Sequence, residues 1–114
     1  MLPMQAATAP DDAHFGVWVI VERASDTVIG DIGFFGSPTV EGTVEIGYSV
    51  VADRRRRGYA TEAVAALVGW AKRQPNVSAV LARCDEHNVP SIRMLERLGF
   101  ARTGKIDQLL AWRL

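Results

Sequence analysis

The chain has 114 residues, 48% of them apolar and 23% charged, the balance of one soluble domain with a real hydrophobic core. Thirteen Lys and Arg offset thirteen Asp and Glu, so no global field draws it to nucleic acid or to an anionic membrane surface. One cysteine, Cys84, excludes an internal disulfide and a cysteine metal cluster, and fits a reducing cytoplasm.

In chain order, MLPMQAATAPDDAH lacks the basic start and apolar core of a signal peptide. Residues 1–13 read as a disordered lead-in, and 14–114 as a single domain. His14 to Arg23 is rich in valine, isoleucine and aromatics and predicts a strand. Val28 to Gly36 predicts a second, returning as an antiparallel hairpin. Its glycines, Gly30, Gly33 and Gly36, lie within a strand that no helix follows, so bulges or close packing explain them better than a nucleotide loop. Thr43 to Val51 is the third strand. No segment approaches the ~20 apolar residues that cross a bilayer.

A basic turn follows, Arg54-Arg55-Arg56-Arg57-Gly58-Tyr59-Ala60, and then a helix from Thr61 to about Arg73. Ala63, Val64, Leu67, Val68 and Ala71 fall on one face of it, and Pro75 stops it. Strand, glycine turn and helix together present unpaired backbone N–H groups and the positive end of a helix dipole to an anion. Gly58 supplies unusual dihedrals, and the arginines supply charge where a pyrophosphate would lie. The first functional expectation is therefore a phosphate-bearing ligand at this helix start. A solvated turn or a nucleic-acid patch are the alternatives, the latter opposed by the zero net charge.

Val77 to Arg83 predicts the next strand, closing a parallel crossover. A second helix runs from near Pro90, with Asn88 as cap, Ile92, Leu95 and Leu98 three apart, and Gly99 as stop. Phe100 to Ile106 and Leu109 to Leu114 close the chain as strands. The order β-β-β-α-β-α-β-β implies an α+β fold: a mixed, mostly antiparallel sheet with a central parallel β-α-β unit and helices packed on it.

Arg55-Arg56-Arg57-Gly58-Tyr59-Ala60 fits Arg/Gln-x-x-Gly-x-Gly/Ala, and further motifs accompany it. These are Gly47-Tyr48 upstream, Ala60-Thr61-Glu62-Ala63 opening the helix, and Asn88-Val89-Pro90-Ser91 and Leu95-Glu96-Arg97-Leu98-Gly99-Phe100 downstream. The set, over residues 15–114, resembles the GNAT superfamily of acetyl-CoA-dependent N-acetyltransferases, and most of all its ribosomal-protein N-terminal acetyltransferase branch. The resemblance implies that the third strand splays from its parallel neighbour and admits acetyl-CoA. Backbone groups of Val50 and Val51 would bind the pantetheine arm, with the Val50 N–H also polarising the thioester carbonyl. The cofactor-binding set it implies is Val50, Val51, Arg55, Arg56, Arg57, Gly58, Tyr59, Ala60, Thr61 and Asn88, with no metal. N–H groups from Arg56 to Thr61 would cradle the pyrophosphate, and Asn88 would contact pantetheine.

The chemistry also needs a base for the amine, mostly protonated at neutral pH, and an acid for the leaving thiolate. Many members place a tyrosine seven residues after the asparagine; here that position is Leu95. Ser91 matches the serine that the resembled branch offers as acid, and Glu45, on the cleft strand, is the candidate base. Structural readings stand beside these: Ser91 satisfying backbone donors, Glu45 facing solvent, Tyr59 packing at the helix start and Glu62 favouring the dipole. Cys84 reads as core rather than nucleophile, His14 and His87 as surface residues, and Trp18, Trp70 and Trp112 as core or interface.

The expected function is acetyl transfer from acetyl-CoA to a primary amine, with a non-catalytic CoA-binding or assembly domain as the alternative. Members usually begin with a strand and two helices that wall the acceptor side, and about a dozen residues precede the first predicted strand here. That leaves His14 to Arg23 as an open edge, with Val17, Trp18, Val19, Ile20 and Val21 in succession. A homodimer through this edge is therefore expected, the alternative being a lead-in that folds back over it.

Overall fold

The computed structural model describes residues 4–6, 16–50 and 58–114. Val51 and Arg54 to Arg57, with most of the predicted lead-in, lie outside the described residues. Seven strands form one sheet in the order β1-β2-β3-β4-β5-β7-β6, and two helices accompany them. The mixed, mostly antiparallel α+β fold read from the sequence is the fold found, with one strand added.

That strand is β1, Met4–Ala6, which pairs antiparallel with β2, Val17–Glu22. Two expectations are thereby corrected. Residues 1–13 are not lead-in throughout, and the edge of the sheet falls on β1 rather than on β2. Three residues flanked by proline-containing polar sequence carry too little β-patterning to be read as a strand; a backbone partner defines this one. Of the apolar run in β2 only Ile20 is fully buried, while Val17 is exposed.

β2 turns through Asp26, held at φ 54°, into β3, Thr27–Phe34, and the hairpin shifts register between Ile20 and Val21. Gly30 and Gly33 are required by close backbone approach. A Cβ at Gly30 would stand 2.1 Å from the Ser49 carbonyl oxygen, and one at Gly33 2.2 Å from that of Gly16. β4, Thr43–Val50, follows on the other side of β3. Its period of two buries Val44, Ile46 and Val50 and turns Thr43, Glu45, Gly47 and Ser49 to the other face.

Helix α1, Tyr59–Lys72, buries Ala63, Val64, Leu67, Val68 and Ala71, the stripe read from the sequence, against β3, β4 and β5. Phe34 meets Trp70 of this helix with ring centroids 5.9 Å apart. β5, Ala79–Asp85, pairs parallel with β4 and antiparallel with β7, Leu109–Arg113, which β6, Ala101–Ile106, completes. α2, Val89–Arg97, is capped by Asn88, whose carboxamide oxygen accepts from the Ser91 N–H at 3.3 Å. It buries Ser91, Met94 and Leu95, whereas Ile92 and Leu98 only flank the core. Spacing by threes drifts around a helix of 3.6 residues per turn, so three such residues cannot all face inward. Gly99, at φ 95°, ends it. Among the described residues no helix is long and apolar enough to cross a membrane.

Candidate active site

Among the described residues β4 and β5 are the one parallel pair, and they pair from Thr43–Ala79 to Ile46–Ala82. Beyond that point Gly47–Val50 stays with β3, and Arg83–Asp85 stays with β7. The two strands diverge as a fork. Phe35 N–H donates to the Glu45 carbonyl on the β3 side at 2.9 Å. Backbone groups of alternate residues, Ile46, Tyr48 and Val50, therefore turn toward the β5 side, where the fork opens.

The first turn of α2 enters this opening. A cleft of about 460 Å³ is lined there by Glu45, Tyr48, Arg83, Cys84, Asn88 and Ser91, with Phe35 and Leu109 at its margins. The Tyr48 hydroxyl donates to Ser91 Oγ at 2.8 Å, linking β4 to α2 across the fork. Ser91 is buried, and its backbone N–H is served by Asn88, so its hydroxyl is not spent on capping. Burial holds the Tyr48 phenol above its ordinary range, opposed in part by its hydrogen bond with Ser91. Burial likewise pushes the Cys84 thiol up, against a smaller opposing effect of Trp112. Cys84 belongs to the core cluster although its edge reaches the cleft, and a thiol kept protonated is a poor nucleophile.

Both oxygens of Glu45 are engaged by one guanidinium: Arg83 Nε donates at 2.8 Å and Nη2 at 3.1 Å. The pair bridges β4 and β5 just where their backbone pairing ends, and the carboxylate holds Arg83 above its ordinary range. Arg83 is about half exposed, so the bridge adds little to stability. A role for Glu45 as base asks this pair to part.

At the other end of the site, Gly58 begins α1 at φ 81°, ψ 2°. No side chain among the described residues caps the helix, and a Cβ on Gly58 would meet nothing within 4 Å. The glycine is thus set by its left-handed backbone, not by crowding from the protein. The Tyr59, Ala60 and Thr61 N–H groups belong to the first turn, where a helix offers donors to a ligand. Tyr59 is pinned: its hydroxyl donates to Glu22 Oε2 at 2.6 Å, and Ser25 donates to Oε1 at 2.7 Å. Glu22 is 6% exposed.

The structure thus brings Glu45, Asn88 and Ser91 to one cleft, with buried Val50 on the same strand and Gly58 to Thr61 at the start of α1. Val51, Arg55, Arg56 and Arg57 lie outside the described residues. Sequence reasoning missed Tyr48, Arg83 and Glu22. Tyr48 carried a signal, since it lies two residues from Val50 on the same strand face. Arg83 and Glu22 carried none, because each finds its partner 38 or 37 residues away. Among the described residues, no group of three His, Cys, Asp or Glu side chains is gathered to hold a metal ion.

The strand pair thus forks where the first turn of α2 enters, with the Tyr48 and Ser91 hydroxyls paired inside the fork. The Acetyltransferase (GNAT) domain model matches residues 3–101, and the chain belongs to the GNAT acetyltransferase family. The chain is 37% identical over 98 residues to YjdG, an uncharacterized N-acetyltransferase of Bacillus subtilis (strain 168), covering 86% of this chain and 58% of that relative. The chain therefore spans little more than half of that relative's length.

Solved structures share the fold. The ribosomal-protein-S5-alanine acetyltransferase of Vibrio fischeri superposes with a TM-score of 0.79 at 18% identity, over 86% of this chain and 60% of that one. A GNAT-family acetyltransferase of Bacillus anthracis does so with a TM-score of 0.76 at 22% identity, over 91% and 68%.

Proposed function

We propose that this domain transfers the acetyl group of acetyl-CoA to a primary amine, on a protein N-terminus or a small molecule, by direct attack in a ternary complex. The fork between β4 and β5 carries the reading. Beyond Ile46 and Ala82 the facing backbone groups of β4 and β5 no longer pair with each other, which leaves donors and acceptors that a bound ligand can meet. Acetyl-CoA supplies the activated acyl group. Val50 and Asn88 would hold its pantetheine arm, and the N–H groups of Gly58 to Thr61 its pyrophosphate. Val51 and Arg55 to Arg57 complete that set. Ser91 serves as acid to the leaving thiolate and Glu45 as base to the amine. A reducing cytoplasm suits the single buried thiol.

The test is release of free thiol from acetyl-CoA across a panel of amines and N-terminal peptides. Ser91→Ala is expected to lower kcat by about 10²-fold with acetyl-CoA affinity retained, the scale of lost acid catalysis. Glu45→Gln is expected to lower kcat by a similar factor, again with acetyl-CoA affinity retained. Wild-type turnover in both variants at every pH removes these assignments. The engagement of both Glu45 oxygens by Arg83 favours the alternative of a non-catalytic CoA-binding domain. Acetyl-CoA binding without thiol release from any amine is its signature.

A homodimer remains part of the proposal, now through the edge strand β1 and the adjoining face, where Val17 and Phe35 are exposed. Size exclusion with light scattering at low micromolar concentration is expected to give twice the chain mass; a monomer overturns it.

A further inference from the structure

Leu95, where many family members carry a tyrosine, is fully buried, yet a phenol does stand in the fork. It comes from β4 instead of α2. The Tyr48 hydroxyl donates to Ser91 Oγ from 43 residues away. A donated hydrogen bond takes up a lone pair of the serine oxygen, so the serine's own proton is turned away from Tyr48. Ser91, Tyr48 and Asn88 all line the cleft, so that proton is available to a group bound there.

We infer that Tyr48 is a positioning residue for thiolate departure, aiming the Ser91 proton into the fork and stabilising the oxygen that releases it. This rests on the acetyl-transfer reading above. In that reaction the amine nitrogen attacks the thioester carbonyl carbon. The C–N bond forms, and the C–S bond breaks with its electron pair leaving on sulfur. The Ser91 proton passes to sulfur and gives free thiol. The proton shed by the nitrogen passes to Glu45 and from there through solvent to Ser91, so both groups are regenerated. As the Ser91 proton moves, partial negative charge develops on the serine oxygen, and a hydrogen bond to a charged acceptor is about twice as strong as one to a neutral acceptor.

The phenol is suited to this role because it keeps its proton. Burial raises it above its ordinary value, and the neighbouring Cys84 of β5 adds to that rise. Cys84 is itself raised by burial, so at neutral pH neither group brings charge to the serine. Glu45 and Arg83 line the same cleft but are bound to each other.

The test is a double-mutant cycle. Tyr48→Phe is expected to lower kcat roughly tenfold, the worth of one hydrogen bond, with KM for acetyl-CoA within about twofold. In Ser91→Ala the same change is expected to cost nothing further, because the oxygen it acts on is gone. Wild-type kcat in Tyr48→Phe, or losses that multiply in the double variant, overturn the inference.

Replacing Tyr48 alone by 3-fluorotyrosine keeps the ring's shape and supplies two further readouts. The alkaline limb of kcat is expected to move to lower pH, because the fluorinated phenol gives up its proton sooner; an unmoved limb overturns the inference. Its fluorine resonance is expected to shift on Ser91→Ala and on addition of CoA, with no turnover involved. A resonance that responds to neither removes Tyr48 from the fork. Both shifts in the fluorotyrosine protein, with an unlabelled wild type that binds CoA yet releases no thiol with any amine, sink the acetyl-transfer reading instead.

Discussion

Gly58→Val is expected to weaken acetyl-CoA binding at least tenfold, measured by calorimetric titration, while the protein still unfolds in one cooperative transition. Gly58 holds φ 81° at the start of α1. A β-branched residue is a steric outlier at positive φ, and such strain costs about 1–3 kcal/mol. The helix can relieve it only by rotating its first peptides, which are the ones whose N–H groups would meet a pyrophosphate. A decade of affinity is about 1.4 kcal/mol, so the strain alone reaches the expected loss. Among the described residues nothing lies within 4 Å of such a Cβ, so the core is not pushed aside. Gly58→Asn is the control, since asparagine visits the left-handed region at small cost, and its stability is expected to match the wild type. Unchanged affinity in Gly58→Val removes phosphate from this turn.

Leu95→Ala is expected to lower stability by about 2–5 kcal/mol. For a domain near this size that is a fall in Tm of at least about 10 °C by calorimetry. Leu95 is 0% exposed, and α2 is only nine residues long, so few side chains dock it. Met94 and Leu95 are the large buried residues of that helix, and the Leu95 carbonyl also accepts from Phe100 N–H at 2.9 Å. Ser91 lies one turn earlier on the same face. A loosened α2 therefore withdraws the serine from Tyr48, and kcat is expected to fall along with Tm. A melting transition within 2 °C of wild type contradicts the packing described here.

The elements legible in the sequence were those whose pattern is local. The stripe Ala63, Val64, Leu67, Val68 and Ala71 declares a helical face, and the five residues are the ones buried. The alternation along β4 declares a strand and places Val44, Ile46 and Val50 inside. Gly30 and Gly33 declared close approach, and the carbonyls they admit are now identified. Strand β1 was not legible, because three residues have no periodicity and their state is decided by β2. The cleft was half legible. Glu45, Asn88 and Ser91 carry motif signals, but the partner of each hydroxyl or carboxylate is a matter of tertiary register. Nothing local says that Tyr48 reaches Ser91, or that Arg83 reaches Glu45, until β4 and β5 are set side by side.

The tie between Glu22 and Tyr59 has a consequence for how the two positions vary. A carboxylate at 6% exposure relies on the donors around it, and Tyr59 is one of them at 2.6 Å. Loss of the tyrosine hydroxyl alone leaves Glu22 a donor short in a place water scarcely reaches. Replacing both residues by apolar ones of similar shape removes the Tyr59 donor with its acceptor, and leaves Ser25, which donates to Oε1 at 2.7 Å, to find another acceptor. The two positions are thus expected to vary together. A lineage that alters the outer hairpin at Glu22 is pressed to alter the foot of α1 as well, although 37 residues separate them in the chain.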